Sequence, residues 1–347
     1  MTMPDVTIMG AGVFGLTLAL ACLERGAQVQ VIEPRSLGAG SSGGLVGALA
    51  PHVPENWNAK KAFQFNALRM AADYWARVEA LSGIDPGYAR GGRLQPVPES
   101  GLELALARSA QAAQLWQGFA EWRVLPAADV AARGLGLQAP SGWVIHDTLS
   151  ARLHPRQAGQ ALATAIAQLG GTLVREATQP AGRTVWATGY EGLEALSTAL
   201  GRKVGDGVKG QSLLLRHAAL ETPQIFADDL HIVPHGDGTI AIGSTSERSF
   251  DTPDGVDAQC ELLHLRALQI CPSLEGAPVI ERWAGVRPRA RSRAPLLGEW
   301  PGREKHYVFN GGFKIGFAMA PALAPLMADL VLEDRNCIPP EFGFGAL

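Results

Sequence analysis

The sequence predicts an α/β protein with a Rossmann-like unit near its N-terminus and a β-hairpin further along the chain. Three observations carry this prediction. A β-prone run, a glycine-rich turn and an apolar helical stretch follow one another near the N-terminus. Glycine supplies 41 of the 347 residues, well above an average usage of roughly 7%. Two alternating runs further along, separated by Gly-Asp-Gly at 236–238, predict a β-hairpin.

Composition and charge exclude several classes of protein. With 47% hydrophobic and 18% charged residues and no Gly-X-Y period, the chain is neither disordered nor collagen-like. A formal net charge of -3 gives no support for binding to nucleic acid or to an anionic membrane. The segment 6–23 is apolar, but glycines interrupt it and no basic residue precedes it, so we expect neither a signal peptide nor a transmembrane segment.

The cysteines are too far apart in the sequence to suggest cross-linking. They form no CxxC pair and no close group with histidines, so the sequence predicts neither disulfide bonds nor a metal site. A reducing, cytoplasmic location fits this pattern. The four cysteines are Cys22, Cys260, Cys271 and Cys337.

The N-terminal segment carries the pattern of a dinucleotide-binding unit. The runs 6–9 and 28–32 predict β-strands, and 16–25 predicts a helix between them. The first strand leads into Gly10-Ala11-Gly12-Val13-Phe14-Gly15, and the second ends on Glu33. Strand, glycine turn, helix, strand and acidic residue stand in the order that a dinucleotide-binding fold requires.

Each glycine of the turn has a physical task in such a fold. Gly10 permits a sharp turn, Gly12 lets the backbone approach a pyrophosphate at the helix N-terminus, and Gly15 allows the helix to pack closely on the strand. Glu33 would accept hydrogen bonds from a ribose, and it disfavours NADP because the carboxylate would face the 2′-phosphate. These residues leave the choice between NAD and FAD open, and an ordinary glycine-rich turn is the simpler alternative.

A second glycine-rich run follows Glu33 and narrows the choice of cofactor. Residues 38–47 hold five glycines and two serines, which cannot form a stable helix, and the apolar stretch 45–51 that follows would be unusual in a linker. This arrangement resembles the second FAD-contacting loop of the glycine oxidase/D-amino acid oxidase superfamily, which also includes sarcosine oxidases. The resemblance favours FAD over NAD.

Further segments match that superfamily in its own order, and the likeness spans residues 6 to about 333, nearly the whole chain. They comprise a strand end beside the flavin nucleotide, the opening of the substrate sheet, a hairpin, an arginine-proline motif and the closing flavin loop. These segments are Trp186-Ala187-Thr188-Gly189, Lys209-Gly210-Gln211, 231–245, Gly285-Val286-Arg287-Pro288 with 294–298, and 308–321.

The resemblance implies that a Rossmann-like FAD-binding domain is interleaved with a substrate-binding domain built on a mixed or antiparallel β-sheet. The FAD-binding domain would comprise residues 1–85, 145–205 and 284–347, and the substrate-binding domain residues 86–144 and 206–283. Helical spacing of apolar residues predicts one helix over 59–82 and another over 103–123. We expect the tryptophans of the second helix, Trp116 and Trp122, to belong to the core.

The resemblance also implies how FAD is held. Binding is expected to be non-covalent, because no cysteine lies between Arg282 and Pro295, the region that carries the covalent flavin in sarcosine oxidases. The residues expected to contact FAD are Gly10, Gly12, Val13, Phe14, Gly15, Glu33, Arg35, Ser41, Ser42, Gly43, Gly44, Leu45, Gly47, Ala48, Leu49, Val174, Ala187, Thr188, Gly189, Gly285, Arg287, Gly311, Gly312, Phe313, Lys314, Ile315 and Gly316.

The activity implied by the resemblance is oxidation of the C–N bond of an amino acid or secondary amine. A hydride would pass from the substrate α-carbon to flavin N5, and the imine would then hydrolyse. Arg287 would grip the substrate carboxylate through two parallel hydrogen bonds. Lys314, in a Gly-Phe-Lys sequence similar to that of sarcosine oxidases, would bind the same carboxylate and stabilise negative charge on the reduced flavin. A surface ion pair for Arg287 and a solvated Lys314 are the alternatives.

Four more residues are candidates for contact with the substrate. His52 follows the flavin loop directly, and Phe226, His231 and Phe250 flank the predicted hairpin. A purely structural role is the alternative for each of them. The expected partners are a small amine or amino acid and either oxygen or an electron carrier, and no nucleic acid is expected.

Two other functions fit parts of the same pattern. One is a tRNA-modification oxidase similar to the C-terminal domain of the methylaminomethyl-uridine bifunctional enzyme, whose Gly-Val-Arg segment is close to that at 285–287. The acidic balance of the chain weighs against it, although five arginines lie between Arg282 and Arg293. The other is a nucleotide-binding module without redox turnover.

Overall fold

The first strand, helix and second strand form a parallel unit where the glycine pattern predicts it. In a computed structural model that describes residues 3–176, 180–218 and 222–347, these elements are β1 (Val6–Met9), α1 (Val13–Leu23) and β2 (Val29–Ile32). Val6 lies beside Val29 and Met9 beside Ile32 in the parallel pair. Every residue from Val13 to Cys22 is buried, so α1 is a core helix rather than a surface one.

The remaining helices and strands complete two main sheets and the layers that cover them. The helices are α2 (Ala59–Ser82), α3 (Leu102–Leu115), α4 (Pro155–Gln168), α5 (Gly189–Ala199), α6 (Ala258–Ile270) and α7 (Gly316–Glu333). The strands are β3 (Ala48–Leu49), β4 (Arg93–Pro96), β5 (Trp122–Pro126), β6 (Trp143–Asp147), β7 (Ala151–Arg152), β8 (Thr172–Val174), β9 (Arg183–Trp186), β10 (Gly205–Arg216), β11 (Gln224–Ala227), β12 (Leu230–Pro234), β13 (Thr239–Gly243), β14 (Val279–Ala290), β15 (Leu296–Glu299) and β16 (His306–Asn310).

One sheet has six strands in the order β15-β16-β9-β1-β2-β8. Its strands pair in parallel except for β15 and β16, which are antiparallel. Helices α1, α4 and α7 pack against it, α2 packs on α4 and α7, and the apolar side chains of these helices contribute to the largest core of the protein. The parallel strands place their carboxyl ends, including Met9 and Trp186, at one edge of the sheet, where ligands of such folds bind.

Helix α7 is a central part of this core. By length and composition it could cross a membrane, yet ten of its eighteen residues are buried and it packs mainly against α1 and α2. A buried core helix has the same composition as a membrane span. The expectation that the chain has no transmembrane segment stays a prediction.

The other main sheet has eight strands in the order β14-β10-β13-β12-β11-β4-β6-β5. All neighbours are antiparallel except β11 and β4. The predicted hairpin is present as β12 and β13, and α6 covers one face of the sheet with its own apolar core. The α/β fold class, with a Rossmann-like sheet and a mixed second sheet, is therefore confirmed.

Two of the expected domain boundaries, at residues 145 and 284, fall inside strands. The strands of the six-stranded sheet come from residues 6–32, 172–186 and 296–310. Strands β6 and β14 belong to the eight-stranded sheet and run across positions 145 and 284. The assignment of residues to two domains stays a prediction. We propose that the boundaries expected at 145 and 284 lie instead just after β6 and β14.

The helix predicted over 103–123 is wrong in its second half. Helix α3 ends at Leu115, and Gln117 and Gly118 then take left-handed backbone angles, with φ of 49° and 77°. The chain turns there and enters β5 at Trp122. Trp116 and Trp122 nevertheless pack edge to face, with ring centroids 6.1 Å apart. The aromatic spacing therefore reflects a shared core and not a continuous helix.

Candidate functional site

A cavity of about 530 Å³ lies where the carboxyl ends of β1 and β9 meet the eight-stranded sheet. It brings together segments that are far apart in the sequence. The residues predicted to contact cofactor or substrate that line it are Gly10, Gly12, Val13, Phe14, Glu33, Arg35, Ser41, Ser42, Gly44, Leu45, Gly47, Ala48, Ala187, Thr188, Gly189, Phe226, His231, Gly285, Arg287, Gly312, Phe313, Lys314 and Gly316.

Six predicted cofactor residues do not line this cavity: Gly15, Gly43, Leu49, Val174, Gly311 and Ile315. A Cβ on Gly15 would lie 1.9 Å from the carbonyl oxygen of Gly10, so this glycine is required for packing. The carbonyl of Val174 accepts a hydrogen bond from the backbone N–H of Glu33 at 3.0 Å. Both residues therefore contact segments that line the cavity without lining it themselves.

The glycine turn after β1 has the shape of a phosphate cradle. Gly10 has φ of 106°, and a Cβ there would lie 2.6 Å from the carbonyl oxygen of Ala187. Gly12 has ordinary backbone angles, and a Cβ there would meet only the side chain of Ser42. The space beyond Gly12 is open at the N-terminus of α1, where backbone N–H groups and the helix dipole favour an anion.

Ser42 connects the second glycine-rich loop to this helix. Its Oγ accepts a hydrogen bond from the backbone N–H of Val13 at 3.0 Å. Helix α1 has no side-chain cap from Gly12, its own N-cap residue. Ser42 therefore satisfies one of the N–H groups that a helix leaves free at its start.

Glu33 is held rigidly at the end of β2. Its Oε2 accepts from the backbone N–H of Ala11 at 3.2 Å, and its Oε1 accepts from that of Arg35 at 3.1 Å. The Arg35 guanidinium forms two hydrogen bonds of 3.3 Å to Glu191 on α5. A carboxylate fixed in this way can accept hydrogen bonds from ribose hydroxyls, as the sequence predicts.

Arg287 is half-buried where it lines the cavity, and it is already hydrogen-bonded to protein. Its Nη1 donates to Ser244 Oγ at 2.5 Å, and its Nη2 donates to the carbonyls of Thr245 at 2.7 Å and Lys209 at 3.1 Å. Burial lowers its pKa to about 10. With both Nη2 hydrogens engaged, one N–H on Nη1 remains for a ligand. Gripping a carboxylate with both nitrogens would therefore require these contacts to change.

Gly210 makes room for the arginine. A Cβ at this position would lie 2.5 Å from Nη2 of Arg287. The glycine lines the cavity on β10, directly opposite Gly285 on β14. The absence of a side chain at Gly210 thus lets the Arg287 guanidinium lie against the backbone of the segment 209–211.

Lys314 is the second cation of the site. Its Nζ has no hydrogen-bond or ion-pair partner among the described residues, and it lies 5.9 Å from the centre of the Phe313 ring. Desolvation and the positive charge of Arg287 hold the pKa of Lys314 below its usual range, while Asp229 acts in the opposite direction. Two cations that influence each other in one cavity form a site for an anion.

The four candidate substrate contacts fall in different places. Phe226 and His231 line the cavity with ring centroids 4.6 Å apart, and burial lowers the pKa of His231 to about 3, so the imidazole is neutral. His52 lines a second, adjoining cavity, and its Nδ1 contacts Gln64 Oε1. Phe250 lines neither cavity, and its contact with substrate stays a prediction.

Trp283 and Asn310 are among the cavity residues that were not predicted from the sequence. Trp283 packs over two glycines, because a Cβ on Gly285 would lie 2.4 Å and one on Gly44 3.2 Å from its ring. Asn310 joins two glycine segments, since its Nδ2 donates to the carbonyl of Gly189 and its Oδ1 accepts from the N–H of Gly311. The sequence signal that could have indicated them is their position next to the glycine motifs at 285 and 311.

Comparison with known proteins decides the family. The sequence pattern of the FAD dependent oxidoreductase family matches residues 5–330. The chain belongs to this family. FAD is accordingly the cofactor of this FAD dependent oxidoreductase, and the enzyme is a flavoprotein.

Individual relatives and solved structures are similar over nearly the whole chain. The bifunctional protein ThiO/ThiG of Nostoc sp. is 28% identical over 96% of this chain, and the chain spans about half, 53%, of its length. The glycine oxidase of Pseudomonas putida is 28% identical, over 97% of this chain and 96% of its own. The crystal structure of iminodiacetate oxidase from Chelativorans sp. BNC1 shares the fold, with a TM-score of 0.84 at 23% identity over 97% and 98% of the two chains.

The residues present fit FAD in this flavoprotein. The open space at Gly12, the helix N-terminus beside it and the fixed Glu33 carboxylate are the features that a pyrophosphate and a ribose need. None of the four cysteines lines the cavity; Cys22, Cys260 and Cys271 are buried and Cys337 is exposed. This arrangement agrees with non-covalent binding. Among the described residues, no group of three metal-binding side chains is present.

Proposed function

We propose that this flavoprotein oxidises the C–N bond of an amino acid or secondary amine. The observation that carries the proposal is the pair of cations, Arg287 and Lys314, at the end of the cavity whose other end has the dinucleotide-binding features. A substrate carboxylate between these cations would place the neighbouring α-carbon and amine inside the same cavity. Relatives named glycine oxidase support this choice of substrate class.

The chemistry that bound FAD supplies is acceptance of a hydride from the substrate α-carbon. The chain itself has to orient the substrate and keep the reacting region dry. The free N–H on Nη1 of Arg287 and the Nζ of Lys314 each donate to one carboxylate oxygen in our account. This two-residue contact replaces the single forked contact that the sequence suggested.

The surroundings of the carboxylate favour a neutral amine. His231 carries no charge near neutral pH, because burial together with Arg93 and Lys314 lowers its pKa to about 3. Arg287 and Lys314 bind the carboxylate and disfavour an ammonium group beside them, while Asp229, which also lines the cavity, partly offsets their charge. Loss of the amine proton leaves the nitrogen lone pair available to assist departure of the hydride.

The remaining partners follow from this reaction. We propose that oxygen or an electron carrier reoxidises the flavin, that the protein works in the cytoplasm, and that no nucleic acid takes part. All four cysteines are free thiols, which suits a reducing compartment.

The function is tested by anaerobic reduction of the holoenzyme. Glycine, sarcosine, D-amino acids and proline are added in turn, and bleaching of the oxidised flavin absorbance is recorded. Because each cation supplies one charge-assisted hydrogen bond, Arg287→Ala and Lys314→Met should each weaken carboxylated substrates about tenfold or more, and simple amines far less. Arg291→Ala removes a charge from an exposed arginine outside the cavity and is the matched control. Equal losses for carboxylated and simple amines would contradict the role of the two cations.

A further inference from the structure

A second cavity, of about 180 Å³, adjoins the first. The two cavities share Ala48, His231 and Lys314 as walls. Arg93, His52 and Gln64 add polar walls that only the second cavity has. It therefore adjoins the site at Lys314 and His231, and Arg287 does not line it.

Arg93 has an unusual hydrogen-bonding state for a buried arginine. It lies on β4 directly opposite Asp147 on β6, and its side chain is 6% exposed. Its Nε donates to Asp147 Oδ2 at 2.8 Å, while Nη1 and Nη2 have no acceptor among the described residues. Asp147 Oδ1 accepts from the backbone N–H of Ser150 instead.

This arrangement leaves four N–H groups of one guanidinium without a protein acceptor, and Nη1 and Nη2 keep some accessible surface although the side chain as a whole is 6% exposed. Burying donors unpaired is unfavourable, so such groups normally meet a protein acceptor, water or a ligand. An arginine that served only to neutralise Asp147 would gain more from a forked contact with both carboxylate oxygens. The observed contact through Nε alone keeps the Nη1 and Nη2 edge available.

The other groups around the second cavity add no negative charge. Arg93 and Lys314 are the charged side chains among its described walls. Partial desolvation lowers the pKa of His52, which disfavours its charged form, and its Nδ1 is engaged with Gln64. The Nδ1 of His231 is buried without a partner among the described residues. The cavity thus offers N–H donors and positive charge to whatever enters it.

We propose that this second cavity is a distal anion subsite, in which Nη1 and Nη2 of Arg93 bind a second carboxylate of the substrate. The preferred substrates would then be amino acids or N-substituted glycines that carry a carboxylate at each end. The first carboxylate lies between Arg287 and Lys314, and the second reaches Arg93 past Lys314 and His231. This inference rests on the proposed function for the identity of the first carboxylate.

The subsite is tested by binding, without turnover. Diglycolate and ethoxyacetate are ethers that contain no amine, and they differ in that a distal carboxylate replaces a methyl group. Each is titrated into the oxidised holoenzyme, and the dissociation constant is read from the change in the flavin visible spectrum. We expect diglycolate to bind at least tenfold more tightly, because it forms two more charge-assisted hydrogen bonds. Equal affinities would overturn the proposal.

Substitution locates the effect at Arg93. The double variant Arg93→Met/Asp147→Asn removes the guanidinium without leaving a buried unpaired carboxylate, and the amide oxygen introduced by the second change can still accept from the N–H of Ser150. It should bind the two ethers with affinities within about threefold of each other. Arg123→Met removes an exposed arginine of the same sheet, paired with Glu121, and should keep the full preference. A preference that survives loss of Arg93 would refute the subsite.

Failure of this inference and failure of the proposed function give different results. If amines bleach the flavin but the two ethers bind equally, the subsite is wrong and the function stands. If diglycolate binds more tightly through Arg93 but no amine bleaches the flavin, the subsite stands and the function is wrong. Flavin content and thermal unfolding of each variant show that the protein tested is folded holoenzyme.

Discussion

Replacement of Gly12 by alanine separates cofactor binding from folding. The residue has φ of -81° and ψ of 176°, which alanine adopts freely. A Cβ there would meet Ser42 Oγ at 3.1 Å, and the next atom lies 3.9 Å away. The methyl group would otherwise enter the open space where the helix N-terminus receives a pyrophosphate.

The two effects of Gly12→Ala on the apoprotein are opposite and small. A shift of Ser42 would weaken its contact with the N–H of Val13, which costs about 1 kcal/mol for a helix cap. Alanine recovers about 0.4–1 kcal/mol by restricting the unfolded chain. The free energy of unfolding of the apoprotein should therefore change by less than about 1 kcal/mol. Affinity for FAD should fall tenfold or more, because backbone can no longer approach the phosphates.

Gly10→Ala is the contrasting variant. With φ of 106° and a Cβ 2.6 Å from the carbonyl oxygen of Ala187, it should destabilise the apoprotein itself by several kcal/mol. Urea unfolding of both apoproteins and FAD titration followed by flavin fluorescence distinguish the two positions. Unchanged FAD affinity in Gly12→Ala, or unfolding of its apoprotein, would refute the assignment of Gly12 to the phosphate cradle.

Three further predictions concern charge. Burial lowers the pKa of His235 from 6.5 to about 4; the unfolded chain therefore binds a proton that the folded imidazole does not, and stability should fall by about 3 kcal/mol between pH 6.5 and 4. In His235→Gln, the free energy of unfolding measured with urea should depend less on pH over that range. The same pH dependence as in the wild type would contradict this. Glu33→Gln should weaken FAD binding about tenfold in the same fluorescence titration, through weaker hydrogen bonds to ribose; wild-type affinity would exclude a cofactor role. The pKa of Lys314 lies below its usual value of 10.5, so the affinity for ethoxyacetate should decrease at pH values below 10.5 as the lysine loses its proton. In Lys314→Arg this decrease should move to higher pH. An affinity that does not depend on pH would argue against a charged contact.

The sequence predicts the local parts of this site well. The turn at Gly10 and Gly12 and the acid Glu33 depend on neighbouring residues, and helix α2 is predicted over the residues that form it, 59–82. The end of α3 was not predictable from periodicity, because Trp116 and Trp122 share one core across a turn. Helical spacing does not reveal a left-handed residue such as Gln117.

Contacts between residues far apart in the sequence could not be predicted from local patterns. Arg93 and Asp147 are neighbours only because β4 and β6 pair. Likewise, the partners of Arg287 come from β10 and from the segment after β13, so its occupied hydrogen bonds could not be anticipated. The residue types indicated cations that could bind a carboxylate. How many N–H groups of each arginine are free for a ligand could be known only from the folded structure.

The proposed oxidation is tested most directly by the visible spectrum of the purified protein during anaerobic addition of glycine, sarcosine and N-carboxymethylglycine. We expect an oxidised flavin spectrum that these amino acids bleach, with the diacid effective at the lowest concentration, while acetate leaves it unbleached. A flavin spectrum that no amine or amino acid bleaches would contradict the proposed oxidation of a C–N bond.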